Sequence, residues 1–357
     1  MDKLIERWCE QIRDAAGHSR ALCLRGGGSK DFYGETPVGE VLDTSAYRGV
    51  VAFEPTELVV TARAGTPLAE LEALLAEQGQ QLPFEPPSFG SGATVGGCVA
   101  AGLSGPGRQA AGAVRDYVLG VRLIDGRGDL LGFGGQVMKN VAGYDVARLV
   151  AGSLGTLGLI TEVSLKVLPR PAATATLRFS MAARTALDAL DRWSGQPLPL
   201  SASSWHDGVL TLRLAGARAA VDAAARSLGG EMLPDTEALS WWRSVREQRH
   251  AFFAPADNAP LWRLAVPAGV AEIDLSDDGQ FIEWGGGQRW SRSRLSAATV
   301  RERVAAVGGH ATLFRGGDSG SPVFHPPAPA VMDIHRRLKA AFDPAGILNP
   351  GRLYSGI

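Results

Sequence analysis

The chain has 357 residues, 45% apolar and 20% charged, with a formal net charge of −1. That length fits about two domains, and the near-neutral charge excludes a chain-wide basic field for nucleic acid or anionic lipid. The charged opening Met1–Arg7 lacks the apolar run of a signal peptide, and no window holds the roughly 18 apolar residues of a membrane span, so a cytoplasmic protein is expected, touching a membrane only through partners.

Residues 4–16 read as an amphipathic helix, with Leu4, Ile5, Trp8 and Ile12 at helical spacing. Ala21–Leu24 is a short strand running into Arg25-Gly26-Gly27-Gly28-Ser29, and Val38–Leu42, Gly49–Phe53 and Leu58–Ala64 read as further strands. A helix follows, with Thr66 as N-cap, Pro67 at its first position, Leu68, Leu71 and Leu75 on one face, and Gly79 as its stop. From Leu82 to Gly107 prolines and glycines crowd out any regular period. Val118–Ile124 and Asp129–Phe133 form a hairpin about Asp125-Gly126-Arg127-Gly128. Asn140–Val150 has a helical pattern, and Leu157–Leu168 alternates as a strand.

Pro169-Arg170-Pro171 is placed as a domain boundary. Beyond it, strands at Thr174–Phe179, Val209–Leu214 and Trp262–Val266 and helices at Ala182–Trp193, Ala217–Leu228 and Ser296–Val307 make an α+β pattern, an antiparallel sheet with helices on one face. A helix from Met332 leads into Phe342-Asp343-Pro344-Ala345-Gly346-Ile347-Leu348-Asn349-Pro350-Gly351. The expected organisation is a first domain over 1–171, a second over 172–331, and a C-terminal segment, 332–357, returning to the first.

The glycine clusters carry the chemistry. A dinucleotide's pyrophosphate needs several backbone N–H donors at close range, and consecutive glycines let the backbone curl into such a nest. Gly26-Gly27-Gly28-Ser29 follows a strand with no helix pattern behind it, which argues against the Rossmann arrangement, and no P-loop is present. Alone, this cluster is equally a tight turn. Gly92-Ala93-Thr94-Val95-Gly96-Gly97 offers a second run of amides with the Thr94 hydroxyl as donor, and Gly152-Ser153-Leu154-Gly155-Thr156-Leu157-Gly158 a third. Three such loops are hard to explain as turns alone: two would clamp a pyrophosphate and one would admit the adenine–ribose end.

These segments, with Arg115-Asp116-Tyr117-Val118-Leu119-Gly120 between them, resemble the vanillyl-alcohol-oxidase/p-cresol-methylhydroxylase type of FAD domain. Lys139-Asn140-Val141-Ala142-Gly143-Tyr144-Asp145 and the closing Phe342–Gly351 segment resemble the FAD-binding subunit family of bacterial glycolate oxidases. The resemblance runs over about residues 20–171 and again at the tail. It implies a two-subdomain FAD domain, an antiparallel-sheet-plus-helix cap and the C-terminal return. It also implies a cofactor set of Arg25, Gly26, Gly27, Gly28, Ser29, Gly92, Thr94, Val95, Gly96, Gly97, Arg115, Asp116, Gly152, Ser153, Gly155, Thr156, Gly158, Ile160 and Asn349. By that resemblance the first two loops hold the pyrophosphate, Gly152–Gly158 and Ile160 lie against adenosine, and Lys139–Asp145 runs near the isoalloxazine. Tyr144 is equally able to pack on the following helix, and Lys139 to be a surface charge.

Many relatives of this fold tether FAD through a histidine where Ser29 stands, so a non-covalent flavin is expected. Cys98, after the second cluster, fits a small buried thiol better than a thioether link. Catalytic relatives carry a signature resembling His-x-Gly-Asp-Gly-Asn-x-His. Here Arg315-Gly316-Gly317-Asp318-Ser319-Gly320-Ser321-Pro322 has Gly317 and Asp318 in place, but Arg315 and Pro322 where the histidines would be. A guanidinium neither ligates a metal nor acts as a base at neutral pH, though it binds carboxylates. No other histidines have ligand spacing, so no metal is expected. Trp241 to Phe253, rich in aromatic and basic residues, fits a flavin face, a partner surface or plain core.

The candidate catalytic residues are Lys139, Tyr144 and Arg315. The expected function is the FAD-binding subunit of a multi-subunit glycolate (2-hydroxy acid) oxidase, beside a second FAD-containing catalytic subunit and an iron–sulfur subunit. Cys9, Cys23 and Cys98 cannot supply four cluster thiolates in this chain and, with no C-x-x-C spacing, fit a reducing compartment. A non-catalytic FAD scaffold and a stand-alone alcohol or hydroxy-acid oxidase are the alternatives.

Overall fold

The computed structural model describes residues 2–135, 144–254, 259–275, 279–316 and 320–357. Helix α1 (Lys3–Gly17) begins where the Asp2 carboxylate accepts the Leu4 N–H, and Ile5, Trp8, Cys9, Ile12 and Ala15 line its buried face. That face packs on the parallel pair β1 (Leu22–Arg25) and β2 (Glu40–Asp43), together with Ile347 and Leu348 from the tail. Strands β3 (Val50–Glu54) and β4 (Val59–Arg63) lead to α2 (Leu68–Glu77). Here Pro67, not Thr66, holds the cap position, because the Thr66 hydroxyl is engaged with the backbone of Gly49 on both sides.

After the short strand β5 (Gln80–Gln81), the expected irregular stretch contains α3 (Val95–Ala101) and a single turn, α4 (Arg108–Ala111). The glycines hid α3 from propensity reasoning; Thr94 starts it by accepting the Gly97 N–H at 3.2 Å. The expected hairpin is β6 (Val118–Ile124) with β7 (Leu130–Gly134). Of the expected helix over 140–150, residues 140–143 lie outside the described residues; α5 (Val146–Leu149) forms behind an Asp145 N-cap. Strand β8 (Leu159–Lys166) completes an antiparallel sheet in the order β3-β4-β8-β6-β7, and β9 (Leu168–Pro169) pairs with β5. Leu68, Leu71, Val99, Leu123 and Val163 are among the residues of its core.

The second sheet is larger than the sequence suggested. It joins β10 (Ala173–Ser180), β11 (Leu200–His206), β12 (Val209–Gly216), β13 (Glu231–Met232), β14 (Leu261–Ala265), β15 (Gln280–Glu283), β16 (Gln288–Arg292) and β17 (His310–Arg315) in the order β13-β10-β12-β11-β15-β16-β14-β17. Helices α6 (Ala183–Ser194) and α7 (Arg218–Leu228) bury their apolar stripes on one face against Leu210, Leu212 and Leu214. Helix α9 (Ala297–Ala305) covers Trp262 and Leu264 of the same sheet.

Helix α8 (Asp235–Arg246) corrects the one-face expectation. Its Trp242 Nε1 donates to Thr176 at 3.0 Å and its Glu237 pairs with Arg178, residues that alternate with the helix-covered Leu177 along β10. It therefore lies on the opposite face, the one turned toward the first half of the chain. On that face Phe253, Phe281, Trp290 and Phe314 pack with Tyr33, Leu103 and Leu154. Polar ties cross the same boundary: Arg213–Glu85 at 2.9 Å, Arg246–Glu72 at 3.1 Å, and the Phe89 N–H to Glu247 at 2.9 Å. The tail helix α10 (Pro329–Phe342) returns to the first half, where Lys339 donates to the carbonyls of Thr156 and Leu348 and pairs with Asp343 at 2.8 Å.

Candidate functional site

A cleft opens along the ends of β1, α3 and β8, lined by Arg25, Gly26, Gly27, Gly28, Ser29, Thr94, Gly96, Gly97, Gly155, Gly158, Ile160 and Asn349. Thus twelve of the cofactor candidates meet around one space although they span the chain from 25 to 349. The first two loops are locked by contact between backbones: a Cβ on Gly27 would overlap the Gly92 carbonyl, and one on Gly92 would come within 2.6 Å of the Gly27 oxygen. Gly28 sits at φ +72, open to glycine without strain. The result is a loop whose N–H groups at Gly26, Gly27 and Gly28 find no acceptor among the described residues. Orphaned amides around a concave wall are what an anionic pyrophosphate satisfies, so the residues fit the group.

The second cluster contributes differently from expectation. Its Val95, Gly96 and Gly97 N–H groups are already taken by Thr66, Ala64 and Thr94, because the segment coils into α3. What it gives the cleft is a wall without side chains and the Thr94 hydroxyl, against which Gly26 abuts. Val95 points into the core and Gly92 serves as the backbone stop for Gly27; neither lines the cleft.

The remaining candidates have structural duties. Asp116 accepts the Ala113 N–H at 2.8 Å, and Arg115 is largely exposed; both lie away from the cleft lining. Gly152, Ser153 and Thr156 shape the third loop from behind: the Gly152 N–H bonds Val99, and the Thr156 hydroxyl bonds the Ser153 carbonyl at 2.8 Å. Asn349 fastens this loop to β1. Its Oδ1 accepts the Leu24 N–H at 2.7 Å and its Nδ2 donates to the Leu154 carbonyl at 2.6 Å.

Two cations in the lining were missed. Lys30, directly after Ser29, reaches the Ser29 hydroxyl and the Ser88 carbonyl at 3.5 and 3.4 Å and stands 5.8 Å from the Phe89 ring centroid. Burial holds its ammonium below the usual lysine range, and no described carboxylate forms an ion pair with it. Arg352 donates to the carbonyls of Asp31 and Tyr33 at 2.9 and 2.7 Å, bracing the loop that leaves the glycine cluster. The run Ser29-Lys30 was a usable signal for the first; the second, beyond the Asn349-Pro350-Gly351 turn, had none.

Cys98 is fully buried beneath this wall, its thiol pushed up to about 11 by desolvation, and it does not reach the lining. A protonated, inaccessible thiol is a poor nucleophile. All three cysteines are free and buried.

Of the catalytic candidates, Lys139 lies outside the described residues, as do Gly317 and Asp318. Tyr144 is 96% exposed and touches no site. Arg315 is half-buried among rings, its guanidinium 4.5 Å from the Phe32 ring centroid, 5.1 Å from that of Phe89 and 5.3 Å from that of Phe314. Burial, with Arg292 nearby, lowers it to about 10. Deeper in the boundary, Glu283 is raised to about 7 by burial, against the pull of hydrogen bonds from Trp290 (2.6 Å) and Gln288 (3.2 Å). The void beside Glu283, Arg263 and Phe314 is only about 20 Å³, room for one water. In the Trp241–Phe253 stretch Trp242, Val245, Phe252 and Phe253 are buried core, while Trp241, Arg243, Arg246 and Arg249 are half-buried or exposed. Among the described residues no three His, Cys, Asp or Glu side chains gather as a metal site, and no helix is long and apolar enough to cross a membrane.

Comparison with known proteins bears on the same site. Residues 5–134 match the family model of an FAD binding domain, and residues 328–353 that of the C-terminal domain of FAD linked oxidases. The glycolate oxidase subunit GlcE of Escherichia coli (strain K12) is 44% identical over 346 residues, 97% of this chain and 96% of that protein. The glycolate oxidase subunit GlcD of Bacillus subtilis (strain 168) is 32% identical over 162 residues, 45% of this chain and 34% of that one. Among solved structures, an alkyldihydroxyacetonephosphate synthase superposes with a TM-score of 0.67 at 18% identity, over 98% of this chain and 76% of that one, a likeness of fold.

Proposed function

Since this chain belongs to the glycolate oxidase subunit family of GlcE type, FAD-dependent oxidoreductases acting on CH–OH groups, we propose that it is the FAD-carrying subunit of a multi-subunit glycolate oxidase. In this reading it holds FAD without a covalent link and works beside a second, catalytic FAD subunit, and electrons from the oxidation of glycolate to glyoxylate pass on to an iron–sulfur subunit. The observation that carries it is the cleft, in which orphaned N–H groups at Gly26, Gly27 and Gly28 face a wall of glycines. Bound there, FAD supplies the two-electron oxidation of a CH–OH group.

The chain's own residues divide the work. The first glycine loop and Thr94 hold the pyrophosphate, and Gly155, Gly158 and Ile160 border the adenosine end. Lys30 adds a positive charge to the wall beside Ser29. Ser29 has no ring nitrogen to tether the flavin, and Cys98 is sealed away from it. Arg115, Asp116, Gly152, Ser153 and Thr156 shape the fold around the site. Acid precipitation is expected to leave free FAD in the supernatant; a yellow pellet would overturn the non-covalent link.

A second reading, a flavin carrier that does not itself turn over substrate, is favoured by the 20 Å³ void and by Arg315 packed among phenylalanines where a histidine signature would open. Mixing the FAD-loaded chain with glycolate under anaerobic conditions separates the two. Bleaching of the isolated chain supports catalysis here, whereas bleaching only in the assembled complex supports the carrier. Co-purification without a second flavoprotein or an iron–sulfur protein would remove the assembly reading altogether.

A further inference from the structure

A crevice of about 560 Å³ lies between α4 and the open end of the second sheet, apart from the cofactor cleft, with which it shares no lining residue. Its polar walls are Arg108 and Gln109 from α4, Arg263 from β14, and His310 and Thr312 from β17; its floor is Trp284. Among the described residues no carboxylate lines it. The Arg108 guanidinium lies 4.3 Å from the Trp284 ring centroid and that of Arg263 5.3 Å, so the two cations share one aromatic ring.

Neither arginine forms an ion pair with a described carboxylate. Arg263 uses its Nε on Gln288 Oε1 at 2.7 Å and meets the Tyr33 phenol, and the Arg108 guanidinium has no hydrogen-bond acceptor among the described residues. The acid that acts on Arg108, Asp116, spends its carboxylate on the Ala113 N–H. The acid that acts on Arg263, Glu283, is buried and half protonated near neutral pH. Gln109 gives its oxygen to the Ser203 hydroxyl at 2.6 Å, which leaves the amide nitrogen as a further donor. Two half-buried guanidiniums that repel each other, with donors around them and only Asp116 and the half-protonated Glu283 acting on them from outside the described lining, are an unbalanced arrangement. An anion completes it.

We propose that this crevice binds a small carboxylate, with Arg108 and Arg263 gripping the carboxylate and the Trp284 ring as floor for a short carbon chain. Resting on the reading above, the ligand is a 2-hydroxy acid. Arg263 also lines the 20 Å³ void beside Glu283, so the crevice adjoins the boundary between the two halves without entering the cofactor cleft. Guanidinium–carboxylate bonds are charge-assisted and can be bidentate, which gives affinity and fixes the orientation of the ligand. The apolar ring suits a ligand with a carbon end better than inorganic phosphate.

The test is calorimetric titration of glycolate, acetate and inorganic phosphate into the FAD-loaded full-length chain and its Arg108→Met and Arg108→Lys variants. Glycolate is expected to bind the wild type, about tenfold more weakly to Arg108→Met, with partial recovery in Arg108→Lys. Melting temperature and flavin content, followed in parallel, should be unchanged; if Arg108→Met misfolds, Thr312→Val with a smaller loss serves instead. Absent glycolate binding, equal binding by Arg108→Met, or a preference for phosphate overturns the proposal. So does a variant that keeps glycolate but loses assembly, which would assign the crevice to an acidic side chain of a partner. Binding is read without turnover, so a chain that binds glycolate yet neither assembles nor passes electrons would sink the assembly reading and leave this one standing.

Discussion

The two glycine loops and the sheet face opposite them are both crowded, for opposite physical reasons. At Gly27 and Gly92 two backbones cross so closely that no side chain fits. At Phe314, Phe281 and Trp290 the space between the halves is filled by rings, with Phe314 and Trp290 centroids 4.8 Å apart. Backbone crowding leaves a loop with unsatisfied donors that a ligand must answer. Ring crowding leaves almost no void and therefore little room for a substrate. The first half of the chain is built to accept a cofactor, and the boundary behind it is built to stay closed.

The sharpest break of this comparison is Gly27→Val. Its side chain has nowhere to go but into the Gly92 carbonyl, so the loops must part, at roughly 3 kcal/mol or more. Purification should yield protein without flavin, or none in the soluble fraction. Gly132→Ala, on an open strand position in the same half, has nothing within 4 Å and should leave the melting temperature and the flavin band within error of wild type. Equal flavin loss in both variants would mean that glycine content, not close approach, shapes the site.

On the other side, Phe314→Ala removes a ring that is 1% exposed and touches Phe32, Tyr33, Phe89 and Trp290. A cost of about 3–5 kcal/mol is expected in chemical denaturation, with FAD retained at native conditions. Flavin loss in step with stability would show that the ring face carries the cofactor site as well.

The same contrast explains what was legible beforehand. Close backbone approach admits only glycine, so Gly26–Gly28, ambiguous alone, pointed to a cofactor site once set beside the second and third clusters, and Asn349 came with the family resemblance of the tail segment. The α3 helix stayed hidden because its first turn is Gly96-Gly97, poor helix formers held by the Thr94 cap and by bonds to Ala64 and Thr66. Strands β15 and β16 were missed because Glu283, Gln288, Arg289 and Arg292 are charged or polar yet buried, a pattern that contradicts period-two hydrophobicity. Arg115 and Asp116 were carried over with a motif, but their job, closing a 3₁₀ turn, is local. Arg352, Arg263 and Arg108 meet neighbours far along the chain, which spacing alone does not reveal.

Glu283 gives the boundary a pH signature. Its carboxyl is raised from 4.5 to about 7 by burial, so between those values the unfolded chain ionises while the folded chain keeps its proton. The folded state then binds more protons, and stability falls as pH rises. The contribution is intact below pH 4.5 and spent above about 7, a difference of about 3 kcal/mol. Denaturant midpoints at pH 5 and pH 8 should therefore differ in the wild type, and the gap should shrink in Glu283→Gln. An unchanged gap would place the sensitivity elsewhere and weaken the picture of a closed, dry boundary.

The smallest effect expected is at Asn349, where the two regions' logic meets. Its side chain makes no ring contact and lines the cleft, yet it holds β1 and the third loop by opposite ends of one amide. Its φ of +42 suits asparagine among non-glycine residues, so the backbone need not rearrange on substitution by aspartate. Asn349→Asp keeps the acceptor for the Leu24 N–H but sets a carboxylate against the Leu154 carbonyl, while Asn349→Ala loses all three side-chain bonds, the long one to the Leu24 carbonyl included. A loss of about 1–3 kcal/mol is expected for either, with a several-fold weaker FAD in fluorescence titration because Gly155 and Gly158 shift with the loop. If stability falls and FAD affinity does not, the third loop frames the fold without shaping the cofactor's seat, and the clamp reduces to the first loop and Thr94.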